Sequence, residues 1–79
     1  MIVHVKLSTT LRDAVPGYVP STGLEASLAA PATVRLLAEQ LDLPLADIKI
    51  IMLNGQHASL DAPLADGDRV AFFPAVGGG

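Results

Sequence analysis

The sequence predicts an α+β domain, a small mixed sheet with one helix laid across it. Two short stretches, one near each end, alternate apolar and polar residues with the period of a strand. One stretch near the middle repeats its apolar residues at helical spacing. A helix with a single apolar face needs a sheet to bury it, and a chain of 79 residues, half of them apolar, has room for one such layer pair.

Residues 2–7 form the first strand. Val3, Val5 and Leu7 share one face, and Ile2, His4 and Lys6 share the other. His4 reads as part of a solvated face, because no motif links it to the only other histidine, His57. Residues 12–23 are rich in Pro, Gly and Ser and read as a loop without regular structure, with Pro16-Gly17 and Pro20 as breaks. Tyr18, at the middle of that loop, reads as a pin against the sheet, with a partner contact as the alternative. Residues 23–29 make a second strand, rich in Ala and Ser.

A helix is expected over residues 33–42, capped by Thr33. Val34, Leu37, Ala38 and Leu41 form its apolar stripe, and Arg35, Glu39, Gln40 and Asp42 take the other side. Leu36 stands where a Glu or Gln would complete a capping box, and Pro44 stops the helix. Residues 45–47 fit a short turn of helix. The run Ile48-Lys49-Ile50-Ile51-Met52-Leu53 reads as a strand covered on much of both faces. Asn54-Gly55 is a strong hairpin signal, with a short strand over residues 56–58.

Asp61, Asp66 and Asp68 invite a calcium reading, but the further oxygen ligands and terminal Glu of a calcium loop are missing. Asp66-Gly67-Asp68 reads instead as a turn, with Gly67 at positive φ and the acids bonding local backbone. Residues 69–73 form the last strand, giving a sheet of four to five strands. Val70 and Phe72 point one way and Ala71 and Phe73 the other, so one phenylalanine lies away from the helix as a docking patch.

Composition narrows the function classes. The absence of cysteine removes disulfides, thiolate metal sites and a cysteine nucleophile, and no set of metal ligands is apparent. The net charge is −3, the five Lys and Arg residues are unclustered in sequence, and Tyr18, Phe72 and Phe73 are the only aromatics. A nucleic-acid partner would require a basic footprint and stacking platforms, so none is expected. No apolar run reaches the ~18 residues of a membrane span. The alternating opening lacks a basic leader and long apolar block, so the expected location is cytoplasmic with no membrane partner.

After Phe73 the sequence runs Pro74-Ala75-Val76-Gly77-Gly78-Gly79. A glycine run has little reason to pack, so residues 76–79 are expected to form a flexible tail on a domain of residues 1–75. The stretch from Leu64 through Asp66-Gly67-Asp68, the apolar strand, Pro74, Val76 and the final glycines resembles the C-terminal signature of the MoaD/ThiS family of sulfur-carrier proteins. Asn54-Gly55, the helix opening Thr33-Val34 and the overall length are also similar. The resemblance implies a β-grasp, ubiquitin-like fold with the first and last strands adjacent at the sheet's centre.

The resemblance also implies a role. The Gly79 carboxylate is adenylated by an ATP-dependent E1-like adenylyltransferase, related to ubiquitin-activating enzymes, and is converted to a thiocarboxylate. The sulfur then passes to a synthase subunit in cofactor biosynthesis, with molybdopterin (the molybdenum or tungsten cofactor) favoured over thiamin. Val76, Gly77 and Gly78 form the tail leading to Gly79, and Phe72, Phe73 and Pro74 are the expected partner-binding surface. The chain would be a cosubstrate or small subunit without catalytic side chains or a bound cofactor of its own, the ATP belonging to the activating enzyme.

The chemistry suits such a tail. An α-carboxyl group is ionised at neutral pH and can attack a phosphate without a base on this chain. Extended, residues 75–79 would reach roughly 16–18 Å into a partner. Missing side chains let such a peptide pass a narrow channel. Two departures bear on the pathway: Ala75 stands where the family often has a second proline, and the loop over residues 12–23 is longer and richer in Pro and Gly than usual. The main alternative is a ubiquitin-like modifier conjugated through the same glycine. A plain interaction domain with a spare tail is another, and an RNA-binding β-grasp module conflicts with the charge.

Overall fold

The computed structural model describes residues 1–75, and the expectations for Val76, Gly77, Gly78 and Gly79 lie outside the described residues. Five strands form one sheet: β1 (Ile2–Leu7), β2 (Leu24–Ser27), β3 (Ile48–Leu53), β4 (Gln56–His57) and β5 (Arg69–Pro74). Their order is β2-β1-β5-β3-β4, with β1 and β5 parallel and the other neighbouring pairs antiparallel. The first and last strands therefore meet at the centre, as a β-grasp fold requires. One helix, α1 (Val34–Gln40), supplies the second layer.

Alternation decides which side chains the helix covers. Val3, Val5 and Leu7 of β1, Ile51 of β3 and Val70 and Phe72 of β5 are buried, together with Val34, Leu37 and Ala38 of α1. The helix opens as its sequence suggests, with the Thr33 hydroxyl accepting from the Leu36 N–H at 3.3 Å. Two more of its free N–H groups find carbonyls in the segment leading to β5: Val34 donates to Ala62 and Arg35 to Leu60. The helix ends four residues before Pro44. Leu43 donates to the Ala38 carbonyl and Asp42 to that of Glu39, while Asp42 takes a left-handed φ of 57°. That pattern is a Schellman cap, so the chain turns before the proline can act.

The first turns of chain hold the main departure from the sequence reading. A 3₁₀ helix spans Thr9–Ala14, reaching into what reads as the start of an irregular loop, and it drives Leu11 into the core at 1% exposure. Beyond it, Tyr18 acts as the expected pin. β2 pairs with β1 only from Ile2 to Val5, which leaves the edge of Leu7 without a strand beside it. The Leu7 N–H donates to the Tyr18 hydroxyl at 2.8 Å, and Arg12 Nε donates to the Leu7 carbonyl at 2.9 Å. The loop thus replaces the missing strand with side chains. It closes at Gly23, whose φ is 71° and where an added Cβ would stand 2.5 Å from the Val5 carbonyl oxygen.

The opposite end of the sheet is tied by the Asp66-Gly67-Asp68 turn. Asp68 accepts from the Ala65 N–H and from the Asn54 side chain, and Asn54 in turn accepts from the Arg69 N–H. Asp66 accepts from the Ile2 N–H at 2.7 Å. Asp68 bonds local backbone as expected, whereas Asp66 reaches the distant Ile2, and together they join β1, β5 and the β3–β4 hairpin. Asn54 and Gly55 both take positive φ, 52° and 82°, as a tight hairpin turn demands.

Candidate docking surface at the root of the C-terminal segment

The helix covers one face of the sheet, and among the described residues no element covers the other. Strand pairing fixes what that open face presents. Phe73 of β5 stands opposite Ile50 of β3, Ala71 opposite Met52, and Lys6 of β1 opposite Ala71. Ile50 is 41% exposed, and Phe73 and Met52 are half-buried. The expectation that β3 is covered on much of both faces is therefore corrected: only Ile51 of that strand is buried. A continuous apolar run signals what could be buried, but a single helix supplies only one layer.

The expected partner surface of Phe72, Phe73 and Pro74 divides in the same way. Phe72 is corrected: it is wholly buried beneath the helix, because it shares the face of Val70 and Leu7. Phe73 reaches the open face. Pro74, the last residue of β5, stands opposite Ile48, and the Ala75 N–H donates to the Asp47 carbonyl at 3.3 Å. β3 and the short 3₁₀ helix Leu45–Asp47 before it thus hold the chain on one side as it leaves the sheet.

On its other side the chain borders an open groove of about 410 Å³, lined by Ser8, Thr9, Thr10, Ile50, Phe73, Pro74 and Ala75. β1 has ended there. Thr9 adopts a φ of 46°, an uncommon conformation for a β-branched residue, and turns the chain away into the 3₁₀ helix. The vacated place beside β5 is the groove. Pro74 has no N–H to offer a strand entering it, so the groove favours side-chain contact over sheet extension. Its floor is apolar and its rim carries hydroxyls.

Phe73 and Pro74 are legible in the sequence, whereas Ile50 and the Ser8-Thr9-Thr10 rim are not. The one available signal was Leu11, a lone apolar residue four positions after Leu7. His4 lies at an exposed position as expected, and so does His57; His4 Nδ1 stands 3.4 Å from Glu25 Oε2. Among the described residues no three or more His, Asp or Glu side chains converge as a metal site, and no polar or charged side chain is buried. No helix among them is long and apolar enough to cross a membrane.

Comparison with known proteins places this geometry. The model of the ThiS family matches residues 5–79. Individually curated proteins give no match in sequence. Among solved structures, a Pyrococcus furiosus protein described as a candidate molybdopterin converting factor subunit 1 superposes with a TM-score of 0.73 at 28% identity, over 96% of this chain and 99% of that one. The small archaeal modifier protein 1 of Haloferax volcanii gives 0.74 at 21% identity, over 95% and 98%. Subunit 1 of the molybdopterin-converting factor of Helicobacter pylori, solved in complex with subunit 2, gives 0.62 at 22% identity over the full length of both chains. All share the ubiquitin-like β-grasp fold.

Proposed function

Because this chain belongs to the ThiS family, we propose that it is a sulfur carrier whose working group is the carboxylate of Gly79. The family match over residues 5–79 carries the reading, since it takes in the last strand and everything after it. The carboxylate oxygen attacks the α-phosphate of ATP on an E1-like adenylyltransferase, and pyrophosphate leaves. A hydrosulfide-level sulfur donor then attacks the acyl carbon and displaces AMP, which leaves the sulfur on Gly79 as a thiocarboxylate. The first step is a substitution at phosphorus and the second a substitution at the acyl carbon, and neither needs a base from this chain.

The described residues contribute position. β5 lies at the centre of the sheet, paired on both sides, so it is a rigid base from which to direct residues 75–79. Phe73, Pro74 and Ile50 supply apolar contact at that base. Ordering a glycine segment in a partner costs about 1–2 kcal/mol per residue, which the folded surface must offset. For the acceptor of sulfur we favour a second subunit that makes molybdopterin. The 28% identical Pyrococcus furiosus structure and the two-subunit Helicobacter pylori complex support that choice.

Two measurements test the proposal. In protein purified from its native host, intact mass and fragmentation should show one oxygen replaced by sulfur at Gly79. Covalent adducts joining Gly79 to lysines of other proteins would identify a modifier instead. In a reconstituted assay with the activating enzyme, deleting Gly79 or adding a residue after it should abolish ATP–pyrophosphate exchange. Undiminished exchange by either variant would remove the Gly79 carboxylate from the reaction.

A further inference from the structure

A second hollow, of about 200 Å³, opens on the same sheet face at the end of β5 away from Pro74. His4, Lys6, Arg69, Met52 and Ala71 are among its lining residues. Its basic side chains come together through register alone. β1 and β5 are parallel, with His4 opposite Arg69 and Lys6 opposite Ala71, so three bases from two sequence-distant strands meet on neighbouring positions of one face.

The charge of this face runs against that of the molecule. The chain carries eight Asp and Glu residues against five Lys and Arg, yet Glu25 is the only acid on the open-face positions of the strands. Glu25 stands at the edge and is engaged with His4. Lys6 Nζ donates to the Pro20 and Ser21 carbonyls at 3.4 Å each, contacts that hold it in place without neutralising it. Among the described residues neither Lys6 nor Arg69 forms an ion pair. Two uncompensated cations thus flank an apolar floor of Met52 and Ala71 on an otherwise acidic domain.

We propose that this hollow docks an acidic segment of a protein partner, which sets a carboxylate against Lys6 and Arg69 and an apolar side chain on Met52 and Ala71. The charge pattern selects that occupant. A nucleic acid would need a longer row of cations and aromatic stacking, which this face lacks. A purely apolar partner would leave both cations facing a desolvated surface without a counter-charge. A carboxylate beside an apolar residue matches both features. The site lies apart from the groove at Phe73 and Pro74, so it adds a second point of attachment that fixes the orientation of a bound partner.

The test uses the full chain, labelled with ¹⁵N, without ATP or a sulfur source, so its outcome is independent of the carrier role. The probe is a capped acidic pentapeptide with a central leucine; the control is the same peptide with every carboxylate replaced by a carboxamide. Saturable shift changes centred on His4, Lys6, Met52, Arg69 and Ala71 are expected with the acidic peptide alone. Added sodium chloride should weaken them. The double variant Lys6→Glu, Arg69→Glu should lose affinity on the order of tenfold or more while keeping a dispersed spectrum. Three results would overturn the proposal: no saturable shifts with the acidic peptide, equal binding of the carboxamide peptide, or unchanged binding by the double variant. Saturation of the same residues by inorganic phosphate alone would also overturn it, in favour of a small-anion site.

Discussion

Phe72 and Phe73 are neighbours on one strand with the same side chain and opposite surroundings. Phe72 is enclosed among Leu7, Val70 and the other buried residues beneath α1, whereas Phe73 lies on the open face beside Ile50. The two faces of the sheet repeat that contrast throughout. One face holds the apolar residues that stabilise the domain, and the other holds apolar and basic residues in reach of a partner. Strand alternation makes this division possible, since a period of two sends adjacent residues to opposite sides. The single helix then determines which side becomes core.

The largest expected effect tests the core side directly. Phe72→Ala removes a ring that is fully enclosed and should cost about 3–5 kcal/mol. A domain of this size has a total stability of roughly 4–12 kcal/mol, so the variant should lose a large share of it. Urea unfolding followed by circular dichroism measures this. A loss no larger than that of Phe73→Ala would erase the difference between the faces.

Leu11→Ala comes next. Leu11 extends the buried face beyond the strands, because the 3₁₀ helix carries it under the end of β1. Its truncation should cost about 2–4 kcal/mol by the same measurement. A cost below about 1 kcal/mol would mean that the first 3₁₀ helix is a surface turn and that the core ends with the sheet.

Much of this division can be read from the residues themselves. The spacing of Val3, Val5 and Leu7 gives β1 and its inward face, Asn54-Gly55 gives the hairpin, and Asp66-Gly67-Asp68 gives the turn into β5. Each is a local pattern whose physical cause spans only a few residues. What escapes local reading depends on partners far away in sequence. Ile50 and Met52 look like core because they are apolar, and only the lack of a second covering layer among the described residues leaves them at the surface. The meeting of His4, Lys6 and Arg69 depends on the pairing of β1 with β5, which no pattern within either strand specifies. The 3₁₀ helix at Thr9 has too short a period to leave a hydrophobic stripe, so only Leu11 hints at it.

Tyr18→Phe probes the boundary between the faces. The phenyl ring can keep its packing, but the Leu7 N–H loses its 2.8 Å acceptor at a strand edge that β2 does not reach. A partly buried donor left unpaired should cost about 1 kcal/mol. Amide hydrogen exchange at Leu7 should quicken relative to Val5, which stays paired inside the sheet. Unchanged exchange would show that water replaces the hydroxyl freely and that the loop is not a substitute strand.

Phe73→Ser should have the smallest effect on folding and a large one on partners. The side chain is half-buried against neighbours on a face without a covering layer, so its truncation should cost no more than about 1 kcal/mol. Its removal takes the central apolar contact from the groove shared with Ile50 and Pro74. In the reconstituted activation assay the KM for this chain should then rise while kcat is preserved, because the chemistry at Gly79 is untouched. A fall in kcat at constant KM would place Phe73 in aiming the C-terminal segment instead of gripping the partner. A destabilisation comparable to that of Phe72→Ala would make Phe73 part of the core, and the open face would cease to be a separate region with its own role.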